Sequence, residues 1–133
     1  MNSYSYTDFR NLAAYQKAFE QANFIFQISL IFPKEERYSL TDQIRRSSRS
    51  VCANFAEAYR KREYEKHFLM KITDCLAENS ETLVWLDFAI NCKYLSEENY
   101  HIAIKLNEET GKLLTFMFNN PYKFGVKPIT RLP

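Results

Sequence analysis

Only two glycines, Gly111 and Gly125, occur in 133 residues, and they stand 14 positions apart. Glycine supplies the left-handed and close-approach backbone of hairpin turns and phosphate loops. A chain this poor in it has little access to turn-dense β-sandwiches or to glycine-rich nucleotide folds. With four prolines and 46% hydrophobic residues, it is expected to be helical, with enough apolar side chains for one packed core.

Hydrophobic periodicity divides the chain into four segments. Over residues 9–32, Leu12, Tyr15, Phe19, Ala22 and Phe26 recur every three or four positions, with Ala18, Ile25, Ile28 and Phe32 as a second strip beside them. A helix in a monomeric bundle needs one stripe, so the extra width points to a subunit interface. Pro33 closes the segment. Ser39 is expected to cap a second helix over 40–60, with Ile44, Val51, Phe55 and Ala58 inward. A third helix over 63–92 aligns Leu69, Ile72, Leu76, Asn79, Leu83, Leu86 and Ile90; Asn79, its sole polar member, is a register-setting residue. The charged stretch 59–66 between them reads as either a tight connection or a helical bend. Ser96, ahead of Glu97 and Glu98, caps a fourth helix over 96–118 that turns Ile102, Leu106, Leu113 and Met117 inward. Gly111 within it marks a close helix approach. Residues 121–133 read as a basic extended tail with Tyr122 and Phe124 docking on the bundle. The expected fold is all-α: one antiparallel up-down four-helix-bundle domain over 1–133, assembling into a ring.

Little here suggests catalysis. Cys52, Cys75 and Cys92 are odd in number and widely spaced, each in an apolar helical context. They are expected to be buried thiols in a reducing cytoplasm, neither disulfides nor zinc ligands. No signal-peptide layout or bilayer-length apolar run is present, so no membrane association is expected. Glu98 and His101 match half of a di-iron element, but Tyr64 stands where the glutamate partner of His67 would be. Ser50 has no histidine on its helix, and Glu78 with Glu81 lacks a second carboxylate pair. The chain is therefore expected to be non-enzymatic, with no catalytic residue, metal or cofactor.

The net charge of +2 conceals an uneven distribution. Residues 34–71 hold ten basic and six acidic side chains; residues 72–120 hold three basic and eight acidic. Such a chain can pair with its own acidic half or present a basic face to nucleic acid. Arg45, Arg49, Arg60, Lys61, Arg62 and Lys66 are the candidate nucleic-acid contacts, with Tyr59 and Tyr64 interleaved as stacking surfaces. Arg60–Arg62 are expected to be exposed, and Arg46 to pair internally with Glu57 or a carboxylate of the third helix. Gln43, Arg46, Ser50, Asn54 and Glu57 form a polar stripe, either solvated or hydrogen-bonded between helices.

The stretch PKEERYSLTDQIRRSSRSVCANFAEAYRK, residues 33–61, resembles the signature of the 23S rRNA-intervening-sequence proteins, FPxxExYxLxxQIRRAxxSIxxNIAEG. ETLVWLDFA at 81–89 and NPYKF at 120–124 agree with it. The resemblance carries Gln43, Arg45, Arg46, Ser50, Asn54 and Glu57, with Arg49, Cys52 and Ala58 as departures. It implies a small up-down bundle that assembles as a homopentamer. It also implies likeness to the accessory protein of diversity-generating retroelements, a pentamer implicated in binding nucleic acid and reverse transcriptase. The expected function is a sequence-tolerant RNA- or DNA-binding accessory protein. The alternative is a scaffold docking a protein partner such as a reverse transcriptase, without touching nucleic acid.

Overall fold

The computed structural model describes residues 7–128. Four helices dominate: α1 (Ala13–Ser29), α2 (Leu40–Arg60), α3 (Glu65–Asn91) and α4 (Glu97–Asn119), with short 3-10 turns at Asp8–Asn11, Lys34–Glu36 and Pro121–Phe124. No strand occurs among the described residues. Each helix packs on the next, and α4 returns onto α1, giving a four-helix bundle.

Several ends differ from the sequence expectation, each for a local reason. The first helix is shorter than 9–32: Leu12 is extended at ψ 140°, and the chain ahead of it is a 3-10 turn. Tyr64, expected inside the third helix, is extended and precedes it. The α2–α3 link is a tight connection in which the Tyr64 N–H donates to the Lys61 carbonyl at 2.9 Å. Ser39 does precede α2, but its side chain does not cap it. The Glu36 carboxylate does so, accepting from the Leu40 N–H at 3.3 Å and from Ser39 Oγ at 2.6 Å. Ser96 caps α4 directly, accepting from the Asn99 N–H at 3.1 Å.

The inward faces are also shifted. In α1 the core takes Ala14, Ala18, Ile25 and Ile28, whereas Phe19 of the other strip is 51% exposed. In α3 the buried line is Phe68, Ile72, Cys75, Asn79, Thr82, Leu86 and Ala89, leaving Leu69, Leu76, Leu83 and Ile90 half-buried on the flank. In α4, Ile102 is exposed while Ala103, Asn107, Thr110 and Leu114 are buried. Small and weakly polar side chains such as Cys75, Thr82 and Ala89 alternate with Phe68, Ile72 and Leu86 along the inner line and let the helices approach closely. The larger leucines sit beside the contact line and cover it.

The core is divided in two. One cluster gathers Ala18, Val51, Phe55, Phe68, Ile72 and Leu114; the other gathers Ile25, Ile28, Ile44, Leu86, Ala89 and Ala103. Between them lies a buried polar layer. Gln21 Nε2 donates to Asn79 Oδ1 at 3.0 Å, Asn79 Nδ2 donates to the Asn107 carbonyl at 3.0 Å, and Asn107 Nδ2 donates to Gln21 Oε1 at 2.8 Å. Ser47 of α2 joins Thr82 of α3 at the same level, hydroxyl to hydroxyl at 2.8 Å. Gly111 borders this layer: a Cβ there would lie 3.4 Å from Asn79 Nδ2.

Of the three free cysteines, Cys75 is buried and donates to the Val51 carbonyl, and Cys52 is half-buried. Cys92, expected to be buried, is exposed in the turn after α3. No helix of the described residues is long and apolar enough to cross a membrane.

Candidate nucleic-acid interface

Helix α2 carries the signature residues, and its turn divides them between two neighbours. Gln43, Arg46, Ser50, Asn54 and Glu57 fall on the side facing α3. Arg46 Nη2 reaches both oxygens of Glu81 at 2.7 Å, its Nη1 reaches Glu78 at 3.3 Å, and its Nε donates to Gln43 Oε1 at 3.2 Å. The Arg46 fork holds Glu81 below the usual carboxylate range, while burial pushes Glu78 above it. Further along, Lys71 bridges Asn54 Oδ1 at 3.1 Å and Glu57 at 2.7 Å, and Asn54 Nδ2 donates to the Ser50 carbonyl at 3.0 Å. The stripe is thus a hydrogen-bonded seam. Arg46 pairs across it with α3, and Glu57 belongs to Lys71. These pairs are part-exposed, so each contributes at most about 1 kcal/mol; their value is in fixing how α2 lies on α3.

Arg45 and Arg49 face the other way, toward α1. Arg45 Nε donates to Ser29 Oγ at 2.8 Å, and the two guanidiniums lie 4.7 and 5.6 Å from the Phe26 ring centre. Among the described residues no carboxylate pairs with either arginine.

The remaining candidates meet at one end of the bundle, where α2 stops and α3 starts. Arg60 and Lys66 are exposed there, and Lys61 is half-buried. Arg62, expected like Lys61 to be exposed, is also half-buried. Its guanidinium lies 3.6 Å from the Tyr59 ring centre, Nε donates to the Tyr59 carbonyl at 2.8 Å, and Nη1 donates to the Phe124 carbonyl at 3.2 Å. Arg62 therefore clasps the segment that follows α4. Its own carbonyl accepts from the Lys127 N–H at 3.0 Å, and Val126 is buried in the core. This clasp corrects the expected extended tail, of which residues 129–133 lie outside the described residues.

The returning segment brings Lys123 and Lys127 to the same end, a placement that no spacing in the sequence signals. The local carboxylates are engaged: Glu63 pairs with Lys127 at 2.8 Å, and Glu65 accepts from the Tyr122 hydroxyl at 2.9 Å. Tyr64, 65% exposed, lies in the α2–α3 connection with its ring edge-on to His67. The opposite end carries exposed Glu35, Asp42, Glu97 and Glu98. Exposed Lys34, Arg37 and Lys93 share that end, so its charge is mixed, whereas the α2–α3 end is predominantly basic. Six candidates thus fall into two groups, with Arg45 and Arg49 lying apart from Arg60, Lys61, Arg62 and Lys66.

Glu98 and His101 are both exposed in the first turns of α4. No group of three or more metal-ligating side chains occurs among the described residues.

A sequence model of the 23S rRNA-intervening sequence proteins matches residues 10–116. The chain belongs to that family. The match spans the α2 seam and the Arg60–Lys66 end, and stops before the clasped segment that carries Lys123 and Lys127. Among solved structures, this family member is similar to a protein of unknown function from the S23 ribosomal protein family of Bacteroides thetaiotaomicron. The two share 28% identity and a TM-score of 0.72, over 80% of this chain and 95% of the other. No curated protein matches the chain.

Proposed function

We propose that this member of the intervening-sequence family is a non-enzymatic, antiparallel up-down bundle. In this reading several copies assemble into a ring and bind RNA or DNA without strong sequence preference. The carrying observation is the basic end, where Arg60, Lys61 and Lys66 flank exposed Tyr64 along the chain, Lys123 lies over Phe116 of α4, and the neighbouring Glu63 and Glu65 are taken up by Lys127 and Tyr122. Guanidinium and ammonium groups contact phosphates, and an exposed ring offers a stacking platform that accepts any base. Repetition of this end around a ring multiplies a modest single-copy affinity through effective concentration. The chain of contacts supports the up-down arrangement: Ser29 meets Arg45, Asn54 meets Lys71, and Asp87 meets Tyr100, so late residues of each helix meet early residues of the next.

The test is a salt titration of binding to a single-stranded RNA and a duplex DNA. Affinity should fall linearly in log–log form, and Arg60→Ala with Lys66→Ala should flatten the slope by about 0.7–0.9 for each phosphate left unneutralised. Arg62 is left intact because its loss would release the clasped segment. Absence of binding at low salt, or an unchanged slope in the variant, refutes the reading and favours a scaffold whose basic end is only solvated.

A further inference from the structure

Arg45 and Arg49 are held in place by neutral groups, and the described chain supplies no anion for them. Ser29, only 2% exposed, donates its hydroxyl to the Phe26 carbonyl at 2.9 Å and accepts from Arg45 Nε at 2.8 Å. The Phe26 ring lies within 6 Å of both guanidiniums. These contacts aim Arg45 and leave both its Nη groups without a partner among the described residues. Asp42, the acidic side chain of α2 nearest in sequence, is exposed one turn before Arg45 and pairs with neither arginine. Two neighbouring guanidiniums set this way favour an oxyanion from outside the chain.

The same edge of α2 continues to the basic end. Arg45, Arg49, Ala53, Ala56 and Arg60 recur every three or four residues, so they share one side of the helix. Arg49 and Arg60 stand about 16 Å apart along it, at about 1.5 Å per residue. Between them the alanines keep the surface low, and Ala56, Arg60 and Lys61 line a hollow of about 430 Å³ with Phe9. Glu57 borders that hollow, but Lys71 holds its carboxylate at 2.7 Å. Aromatic rings of α1 run alongside. Tyr15 packs on Phe55 of α2 at 6.0 Å and stacks on exposed Phe19 at 5.8 Å between ring centres. Tyr15, Phe19 and Phe26 share a side of α1 by their spacing, so Phe19 lies along this border between the hollow and the arginine pair. Glu20, next to Phe19, is paired with Lys17.

We propose that the α1–α2 border is a track for one unpaired strand of RNA or DNA. Phosphates seat on Arg45 and Arg49 at one end and on Arg60 and Lys61 at the other, and Phe19 takes a base on its ring between them. This track rests on the nucleic-acid reading proposed above and adds the form of the strand and its route. A duplex uses such a surface only in part, because its bases are stacked inside and offer no free face to Phe19 while its phosphates meet the arginines. An unpaired strand offers both at once. About five nucleotides cover the distance even at the duplex rise of about 3.4 Å per phosphate.

Fluorescence anisotropy with the full chain tests this. The probe is a labelled oligothymidylate of about 20 nucleotides, longer than the roughly 4–16 that one binding module occupies, compared with the same strand annealed to its complement. The single strand should bind about 5- to 150-fold more tightly, the contribution of one stacked base. Phe19→Ala should remove that margin without changing the single-strand salt slope, and Phe19→Trp should keep it. Arg49→Gln should instead flatten the slope by about 0.7. Circular dichroism checks that the helices persist, and Arg49→Gln, at an exposed site, carries the test should Phe19→Ala disturb α1. A wild type that binds neither probe overturns both the nucleic-acid reading and the track. Equal affinity for strand and duplex, an unmoved slope in Arg49→Gln, or an unchanged margin in a folded Phe19→Ala overturns the track alone. A wild type that takes poly-glutamate more tightly than the strand gives these arginines to an acidic protein partner and likewise overturns the track.

Discussion

Replacing Asn79 with leucine puts the polar layer to a quantitative test. Leucine has nearly the shape of asparagine but neither donor nor acceptor. In Asn79→Leu, Gln21 Nε2, on a residue with no exposed surface, loses the acceptor that lies 3.0 Å away. Asn107 Nδ2 keeps Gln21 Oε1 at 2.8 Å and the backbone carbonyl of residue 79 at 2.9 Å. One buried donor is therefore orphaned, at a cost of about 1–3 kcal/mol. Exchanging all three amides for leucine, in Gln21→Leu/Asn79→Leu/Asn107→Leu, leaves no orphan, and replacing whole partner sets by apolar groups of similar shape is close to neutral. The triple variant should thus be more stable than Asn79→Leu alone. It should also lose the register pin between the two apolar clusters, seen as a lower denaturant slope and poorer amide dispersion by NMR. Urea unfolding of both variants decides the matter. If the triple variant is destabilised by at least as much as the single one, the layer acts through ordinary additive bonds and the reasoning fails.

Glu36 and Tyr94 predict stability lost at both pH extremes. Hydrogen bonds from Ser39, then Tyr94 and the Leu40 N–H, hold Glu36 below its ordinary 4.5, so its contribution is present above that value and disappears as pH falls through the lowered one. The same carboxylate pushes Tyr94 up to about 12, so its contribution is complete below pH 10 and disappears as pH rises toward 12. Urea midpoints measured against pH should show both losses, and Tyr94→Phe should shrink the alkaline one, leaving the smaller part carried by Tyr100 on Asp87 and Tyr122 on Glu65. Thiol labelling of the native protein should modify Cys92 alone, because burial pushes Cys52 to about 11 and Cys75 to about 12. Native labelling of Cys75 as fast as Cys92 would contradict the packing described around Val51.

The number of helices was legible in the chain because glycine scarcity, the stop at Pro33, the cap at Ser96 and three-four periodicity all act locally. The choice of inward face was not. Hydrophobicity ranks Leu69, Leu76 and Leu83 above Cys75, Thr82 and Ala89, yet close helix approach selects the smaller set. Asn79 stood out as a polar interruption, but its partners Gln21 and Asn107 sit in other helices, and no single-helix pattern marks them. The basic end was half visible. Arg60 to Lys66 are consecutive enough to read directly, whereas Lys123 and Lys127 arrive only through the clasp on Arg62, a contact spanning 62 positions. Local spacing also failed for Arg62, whose carbonyl acceptors cannot be inferred from its charge.

The layer of amides at mid-height gives the bundle a waist. Phe55 and Phe68 on one side share no apolar cluster with Ile25 and Leu86 on the other. Each half-core can therefore be enlarged, trimmed or repacked while its opposite keeps its jigsaw, as long as the three amides stay paired. A chain built this way can drift at one end under one selective demand and hold still at the other. The waist lets a single small bundle behave, under mutation, like two.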